Sequence, residues 1–256
     1  MNDALREFAL NPDRYTQISA DVERYADERV CVIQGNTWAG VSGVRVGPED
    51  VEALLAEVRD RVAPEKSLVW WLDPGTRPAD LHERLVGLGL REPQDRGSVL
   101  HALACVAEPP AGPVDVDVRR VETFEEHIAA TEVMWEAFRT RDDRRAAQRE
   151  HLRKEFETAR DAEVPVTFLA HVDGKPAGLG RSIYSDRGVF LIAGSVLEWA
   201  RGRGVYRALV RARWDDAVAR GTPALVTEAL PDTSYPILKR VGFADVGTIR
   251  RLEDVR

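Results

Sequence analysis

Between Gly194 and Arg207 an apolar segment ending Ser195-Val196-Leu197 runs through Glu198-Trp199-Ala200 into Arg201-Gly202-Arg203-Gly204-Val205-Tyr206-Arg207. The order reads as strand, glycine turn and helix start, an arrangement suited to holding a pyrophosphate. A helix N-terminus leaves about four backbone N–H groups without intrahelical partners, and the aligned peptide dipoles add roughly half a positive charge there. Glycines let a phosphate approach that backbone with no Cβ in the way. Two common phosphate-binding turns do not fit. A nucleoside-triphosphate loop needs Lys-Ser/Thr after its last glycine, whereas Gly204 is followed by Val205-Tyr206. A dinucleotide fingerprint needs a third glycine for close helix-to-strand packing, and that position holds Arg207.

What remains is Arg-x-x-Gly-x-(Gly/Ala), read as Arg201, Gly204 and Tyr206, with a tyrosine where a small residue is usual. The pattern resembles the coenzyme A pyrophosphate loop of the GNAT superfamily of acyl-CoA-dependent N-acyltransferases. Downstream, Pro231 to Phe243 reads as a capped short helix closed by Gly242-Phe243 before a final strand, which is similar to the other recurring GNAT motif. The two motifs stand in that family's order.

These motifs must be positioned by elements, and the pattern of apolar residues supplies them. Val114 to Val121 alternates as a half-buried strand, Phe124–Phe138 and Arg145–Arg160 read as helices, and Pro165–Val172, Lys175–Tyr184 and Gly188–Leu197 read as strands. Asp173-Gly174 is a tight hairpin signal between the first two of those strands. Ala208 to Val218 has helical spacing, and Ala224–Thr227 is a short buried strand. The resemblance therefore covers Val114 to Arg256. It implies an α/β (α+β) fold with a GNAT-like mixed, mostly antiparallel sheet flanked by helices.

Residues 107–113, Ala-Glu-Pro-Pro-Ala-Gly-Pro, have the composition of a linker. Before it lie strands at Val30–Gln34, Trp38–Val46, Leu68–Leu72 and Ser98–Val106, with helices at Glu49–Val62 and Pro78–Val86. That order repeats the end of the second half, so 1–108 reads as a degenerate GNAT-like domain and 114–256 as a complete one, in tandem. Where the second copy has its glycine loop, the first has Gly47-Pro48-Glu49-Asp50, whose carboxylates suit a helix start and repel pyrophosphate. One cofactor site is expected. Trp70 and Trp71 are adjacent on a strand and must point to opposite faces.

Composition narrows the classes. A formal net charge of −7 disfavours a nucleic-acid footprint. The chain contains no long uncharged apolar run and opens without a leader pattern, so a cytoplasmic protein with no membrane partner is expected. Cys31 and Cys105 read as isolated buried thiols. The five histidines lack metal-ligand spacing, and no metal is expected.

The resemblance also implies roles. Acetyl-CoA would be the co-substrate and a small-molecule amine the acceptor, and a homodimer is left open. Main-chain groups of Ser195, Val196 and Leu197 would hold the pantetheine and thioester. Backbone N–H groups of Arg203 to Arg207, across Gly204, Val205 and Tyr206, would hold the pyrophosphate beside Gly202, with Arg201 closing the loop. The family's usual thiolate-protonating tyrosine falls at Leu238, which cannot donate a proton. Tyr235 and Tyr206 are the nearby substitutes, Glu228 is a candidate base, and so is Glu198. Two readings stay open: an N-acetyltransferase for a small amine, and a non-catalytic acyl-CoA-binding protein on the same scaffold. Trp135, Phe138 and Arg141 are candidate walls of the acceptor site.

Overall fold

The structure, a computed structural model, describes residues 1–94 and 97–256. The first stretch of chain forms α1 (Asp3–Leu10), β1 (Glu23–Ala26), β2 (Cys31–Gln34), β3 (Trp38–Ser42), α2 (Val51–Arg61), β4 (Ser67–Leu72), α3 (Leu81–Gly87) and β5 (Val99–Cys105). Then come β6 (Val116–Arg120), α4 (Phe124–Ala137), α5 (Asp142–Arg149), α6 (Leu152–Ala162), β7 (Val166–Val172), β8 (Lys175–Ser185) and β9 (Gly188–Val196). The chain ends with α7 (Val205–Ala219), β10 (Leu225–Ala229), α8 (Ser234–Val241) and β11 (Ala244–Asp254).

Two compact units result, one of residues 1–104, 228–240 and 244–256, the other of residues 105–227 and 241–243. The contiguous halves expected from sequence, 1–108 and 114–256, do not coincide with these units. The reason is strand pairing: β11 lies antiparallel between β4 and β5, with Leu252 opposite Trp70 and Thr248 opposite His101. A period-2 pattern reveals that a segment is a strand, but not which sheet it joins.

In the first unit the strand order is β1-β2-β3-β4-β11-β5, antiparallel except for the β3–β4 pair. Leu54, Leu55 and Val58 of α2 recur at helical spacing and pack with Val41, Leu68, Trp70 and Leu252 in one core. Trp70 is fully buried in that core, and half-buried Trp71 takes the other face, over Gly40, where a Cβ would stand 2.3 Å from its Cζ3. Helix α1 and strand β1 fall in a stretch to which the sequence pattern assigns no element. Asn2 caps α1 by accepting from Leu5 N at 2.9 Å, and Leu5, Phe8 and Ala9 give it a buried stripe.

In the second unit the order is β10-β9-β8-β7-β6, antiparallel except for the β9–β10 pair. Each unit thus carries an antiparallel meander, of three strands in the first and four in the second, that ends in a parallel pair. Helix α4 starts in a capping box, Thr123 Oγ1 accepting from Glu126 N and the Glu126 carboxylate from Thr123 N. It packs on β8 and β9, with Ala130 and Val133 against Leu169, Leu179 and Leu197. The single helix expected over Arg145–Arg160 is broken at Glu150-His151 into α5 and α6. Its charged residues gave no buried stripe across the break: α5 buries no side chain, whereas α6 buries Leu152 and Phe156. Asp173 and Gly174 take φ of 52° and 71°, as a tight hairpin between β7 and β8 requires.

Candidate functional site

The segment Gly194 to Arg207 forms the strand, turn and helix start that its residues suggest. Near its end β9 carries a bulge: Leu179 pairs with Ser195 and Arg181 with Ile192, so Ala193 and Gly194 together oppose Gly180. Ala193 adopts the left-handed φ of 51°, an uncommon conformation for a residue with a Cβ. A Cβ on Gly194 would lie 2.9 Å from Tyr206 Cε2 and 3.3 Å from its hydroxyl oxygen. Tyr206, the bulky residue at the position where a small one is usual, therefore braces the bulge.

Beyond Leu197 the chain makes one 3-10 turn over Glu198–Ala200, buries Ala200, and leaves Arg201 exposed. Gly202 and Gly204 take φ of 77° and 76°. Around a Cβ placed on Gly202 there is open space to 4 Å, whereas one on Gly204 would meet Pro113 Cγ at 2.5 Å. Helix α7 then begins at Val205, and its first internal bond runs from Ala208 N to Gly204 O at 3.0 Å. The N–H groups of Val205, Tyr206 and Arg207 precede that bond and have no intrahelical acceptor. Arg203 is held by Asp173 at 3.1 Å and Asp115 at 3.4 Å, while the Arg201 and Arg207 side chains are exposed.

The opposite edge of β9 is equally telling. Its parallel pairing with β10 runs over Val189–Leu225, Phe190–Val226 and Leu191–Thr227, reinforced by Thr227 Oγ1 donating to Leu191 O at 2.9 Å. From Ile192 through the bulge to Val196, β9 lies past that register. Ser195 and Val196 are half-buried, Leu197 is in the core, and Ser195 Oγ is buried without a hydrogen-bond partner. An extended chain with amides could bond to such a strand edge, and the open glycine turn could take an anion.

Underneath the bulge is a residue that the sequence pattern did not single out. Arg213 of α7 is 1 % exposed, donates from Nε to Leu209 O at 2.9 Å, and spreads its guanidinium over Gly180. Burial lowers its pKa, opposed by the Tyr206 hydroxyl beside it. Burial raises that of Tyr206, opposed by the Arg213 guanidinium.

Glu228 and Tyr235 belong to the other compact unit. Glu228 is half-buried near the end of β10, and burial together with the Asp13 carboxylate pushes it up to about 8 against the pull of Arg251. Tyr235 of α8 stacks on His101 at 4.3 Å between ring centroids and donates its hydroxyl to Asp245 at 2.8 Å, which raises its pKa. Leu238 is 1 % exposed. Of the candidate wall residues, Trp135 is buried with Nε1 donating to Gln148 at 2.5 Å, Phe138 is exposed, and Arg141 pairs with Asp143 at 2.9 Å. Glu198 is exposed.

The matching place in the first unit differs. There the backbone goes on pairing past β3, Arg77 N donating to Val44 O at 2.9 Å and Val46 N to Arg77 O at 3.2 Å. Arg45 closes on Asp73 at 3.1 Å, and the Glu49 carboxylate folds back so that a Cβ on Gly47 would meet it at 2.6 Å. An approaching phosphate would meet a zipped strand pair and a carboxylate.

No family model matches the chain, and no curated protein matches it. Its fold, however, is shared with solved structures. A GCN5-related N-acetyltransferase from Kribbella flavida is similar with a TM-score of 0.69 at 18 % identity, over 99 % of this chain and 96 % of that one. A tandem GNAT protein from the clavulanic acid biosynthesis pathway is similar with a TM-score of 0.63 at 13 % identity, over 98 % and 93 %. A GCN5-related N-acetyltransferase from Sphaerobacter thermophilus follows with 0.58 at 18 % identity, over 89 % and 80 %. The chain has the fold of the GNAT N-acetyltransferases, a mixed, mostly antiparallel sheet flanked by helices.

Proposed function

We propose that the chain is an acyl-CoA-dependent N-acyltransferase of the GNAT superfamily that moves an acetyl group from acetyl-CoA to the amine of a small molecule. The observation that carries this reading is the open start of α7 after Gly202, next to the edge of β9 that runs past its register with β10. Bound acetyl-CoA would supply an activated thioester carbonyl. The chain's own part is to hold it. Backbone N–H groups of Val205, Tyr206 and Arg207 would face a pyrophosphate, Gly202 keeps the approach clear, and exposed Arg201 and Arg207 add charge. The Arg203 N–H already donates to Ala200 O at 3.4 Å, and Pro113 closes the side of Gly204 where a Cβ would stand. Main-chain groups of Ser195 and Val196 would take the amide-bearing arm along the strand edge, as in a β-ladder. Those of Leu197, expected from sequence to share this role, are already engaged, its N–H donating to Ala177 O at 2.9 Å and its carbonyl accepting from Ala200 N at 3.0 Å.

Acyl transfer to an amine needs the nucleophile neutral and the leaving thiolate protonated. Glu228, pushed up to about 8, is protonated at neutral pH and becomes a base only above it. Tyr235 already donates to Asp245, and Tyr206 faces Arg213, so each would have to exchange an existing interaction to protonate a thiolate. Buried, apolar Leu238 keeps a second reading in play, a coenzyme A-binding protein without turnover.

Calorimetry with acetyl-CoA is the first test. Gly202→Asp tolerates the left-handed backbone better than most side chains and places a carboxylate in open space, so the protein should stay folded while affinity falls at least about tenfold. Unchanged affinity in that variant, or no binding by the natural protein, would remove the site assignment. A thiol-release assay across primary amines then separates transferase from binder.

A further inference from the structure

Three polar side chains on the α4 side of the second unit's sheet each bury a polar atom that has no hydrogen-bond partner. Arg181 of β8 pairs with Ile192, immediately beside the bulge, and is half-buried with Nε inaccessible and without a hydrogen-bond partner. His127 and Thr131 sit one turn apart on α4, the helix packed on β8. They are only 7 % and 3 % exposed, and neither His127 Nε2 nor Thr131 Oγ1 has a hydrogen-bond partner. Burial and the nearby Arg181 guanidinium hold His127 down at about 4, so its imidazole is neutral at pH 7. Phe124 and Phe156 wall the histidine, with ring centroids 6.4 and 5.5 Å away.

Such an arrangement is costly unless something completes it. A guanidinium taken from water needs an anion, and buried donors need acceptors. Among the described residues no carboxylate forms an ion pair with Arg181; the acidic group that acts on it is Glu155, which is exposed on α6. The buried arginine of α7, Arg213, lies on the opposite face of the sheet over Gly180.

We propose that Arg181, His127 and Thr131 form the recognition site for a carboxylate on the acceptor, so that the acceptor class is an amine that also carries a carboxylate, as an amino acid does. This rests on the acyltransferase reading above. The guanidinium can donate to both carboxylate oxygens, while Thr131 Oγ1 and the Nε2 of the neutral imidazole add further donors. One guanidinium with two neutral donors matches a single negative charge; a phosphate dianion would call for a second cation. Because Arg181 stands beside the bulge that begins the unpaired edge of β9, an anion bound there brings a neighbouring amine toward that edge.

The test is binding to the full chain saturated with coenzyme A. L-Amino acids are titrated beside their carboxamides, and ethanolamine phosphate beside ethanolamine. For at least one side chain the acid should bind about 10- to 100-fold more tightly than its amide. Arg181→Gln should erase that ratio while leaving the affinity for coenzyme A within twofold, and Arg181→Lys should restore part of it. Equal affinities for every acid and its amide in the natural protein overturn the inference, whether or not the variants fold. Preference for the phosphorylated amine over all the acids overturns the carboxylate assignment. Failure of coenzyme A to bind sinks the acyltransferase reading instead, and the same titrations on the free protein still decide the anion site.

Discussion

Glu228 has a carboxyl group that the fold keeps protonated where a free side chain would be charged. Its value of about 8 lies well above the ordinary 4.5, through burial and the Asp13 carboxylate, and Asp13 is itself raised to about 6 by burial. Between the unfolded and folded values the native state binds more protons than the unfolded chain, so stability must fall as pH rises through that window. The contribution is fully present below about 4.5 and is lost as pH passes 8. Urea unfolding at pH 5 and pH 8.5 should therefore show a drop in midpoint for the natural protein. Glu228→Gln, which cannot ionise, should shrink that drop, and equal drops in both proteins would remove Glu228 as its source. If Glu228 also serves as the base, the rate of acyl transfer should rise with pH over the same upper range.

At the scale of elements, the packing of β8 against β9 and α7 fixes the shape of the strand edge. Gly178 shows how tightly: a Cβ there would stand 2.7 Å from the Ser195 carbonyl oxygen and 3.0 Å from Val205 Cγ1. The carbonyl belongs to backbone and cannot swing away. Gly178→Ala should cost about 1–3 kcal/mol, read from urea unfolding, and should weaken acetyl-CoA binding by displacing Ser195. Lost stability with unchanged affinity would mean that Ser195 takes no part in binding.

The elements around this edge were largely legible in the sequence, because each is announced locally. Asp173-Gly174 names its hairpin, Thr123 and Glu126 name the start of α4, and Gly202 and Gly204 name the turn before α7. What the sequence hides is decided by contacts far apart in the chain. Ala193 gives no hint that it will take a positive φ, since the bulge is set by its register against Gly180. His127, Thr131 and Arg181 look like unremarkable polar residues in half-buried elements. Only packing α4 onto β8 reveals that they lack partners. The break between α5 and α6 is hidden for a milder reason: both pieces are charged and helix-prone, and no glycine or proline marks Glu150-His151.

At the scale of the molecule, the last strand of the chain belongs to the unit that the N-terminus begins. β11 fills the place between β4 and β5, and its Ile249 and Leu252 are fully buried. Asp254, whose side chain has no exposure, accepts from Arg59 of α2 at 2.7 and 2.9 Å, which raises the arginine's pKa. Without β11 the strands β4 and β5 would both expose unpaired edges, and the core around Trp70 would lose Leu252. Each large buried side chain removed costs about 2–5 kcal/mol, against a total stability of about 5–15 kcal/mol for a typical protein. A chain ending at residue 243 should therefore lose the cooperative unfolding of its first unit, and residues 1–108 expressed alone should fail to fold. A synthetic peptide of residues 244–256 added to the shortened chain should restore the transition. Arg59→Ala supplies the milder version of the same test. It leaves Asp254 buried without its partner, and should cost on the order of 3 kcal/mol. An unchanged unfolding transition in the shortened chain would mean that the first unit closes its sheet without the C-terminal strand.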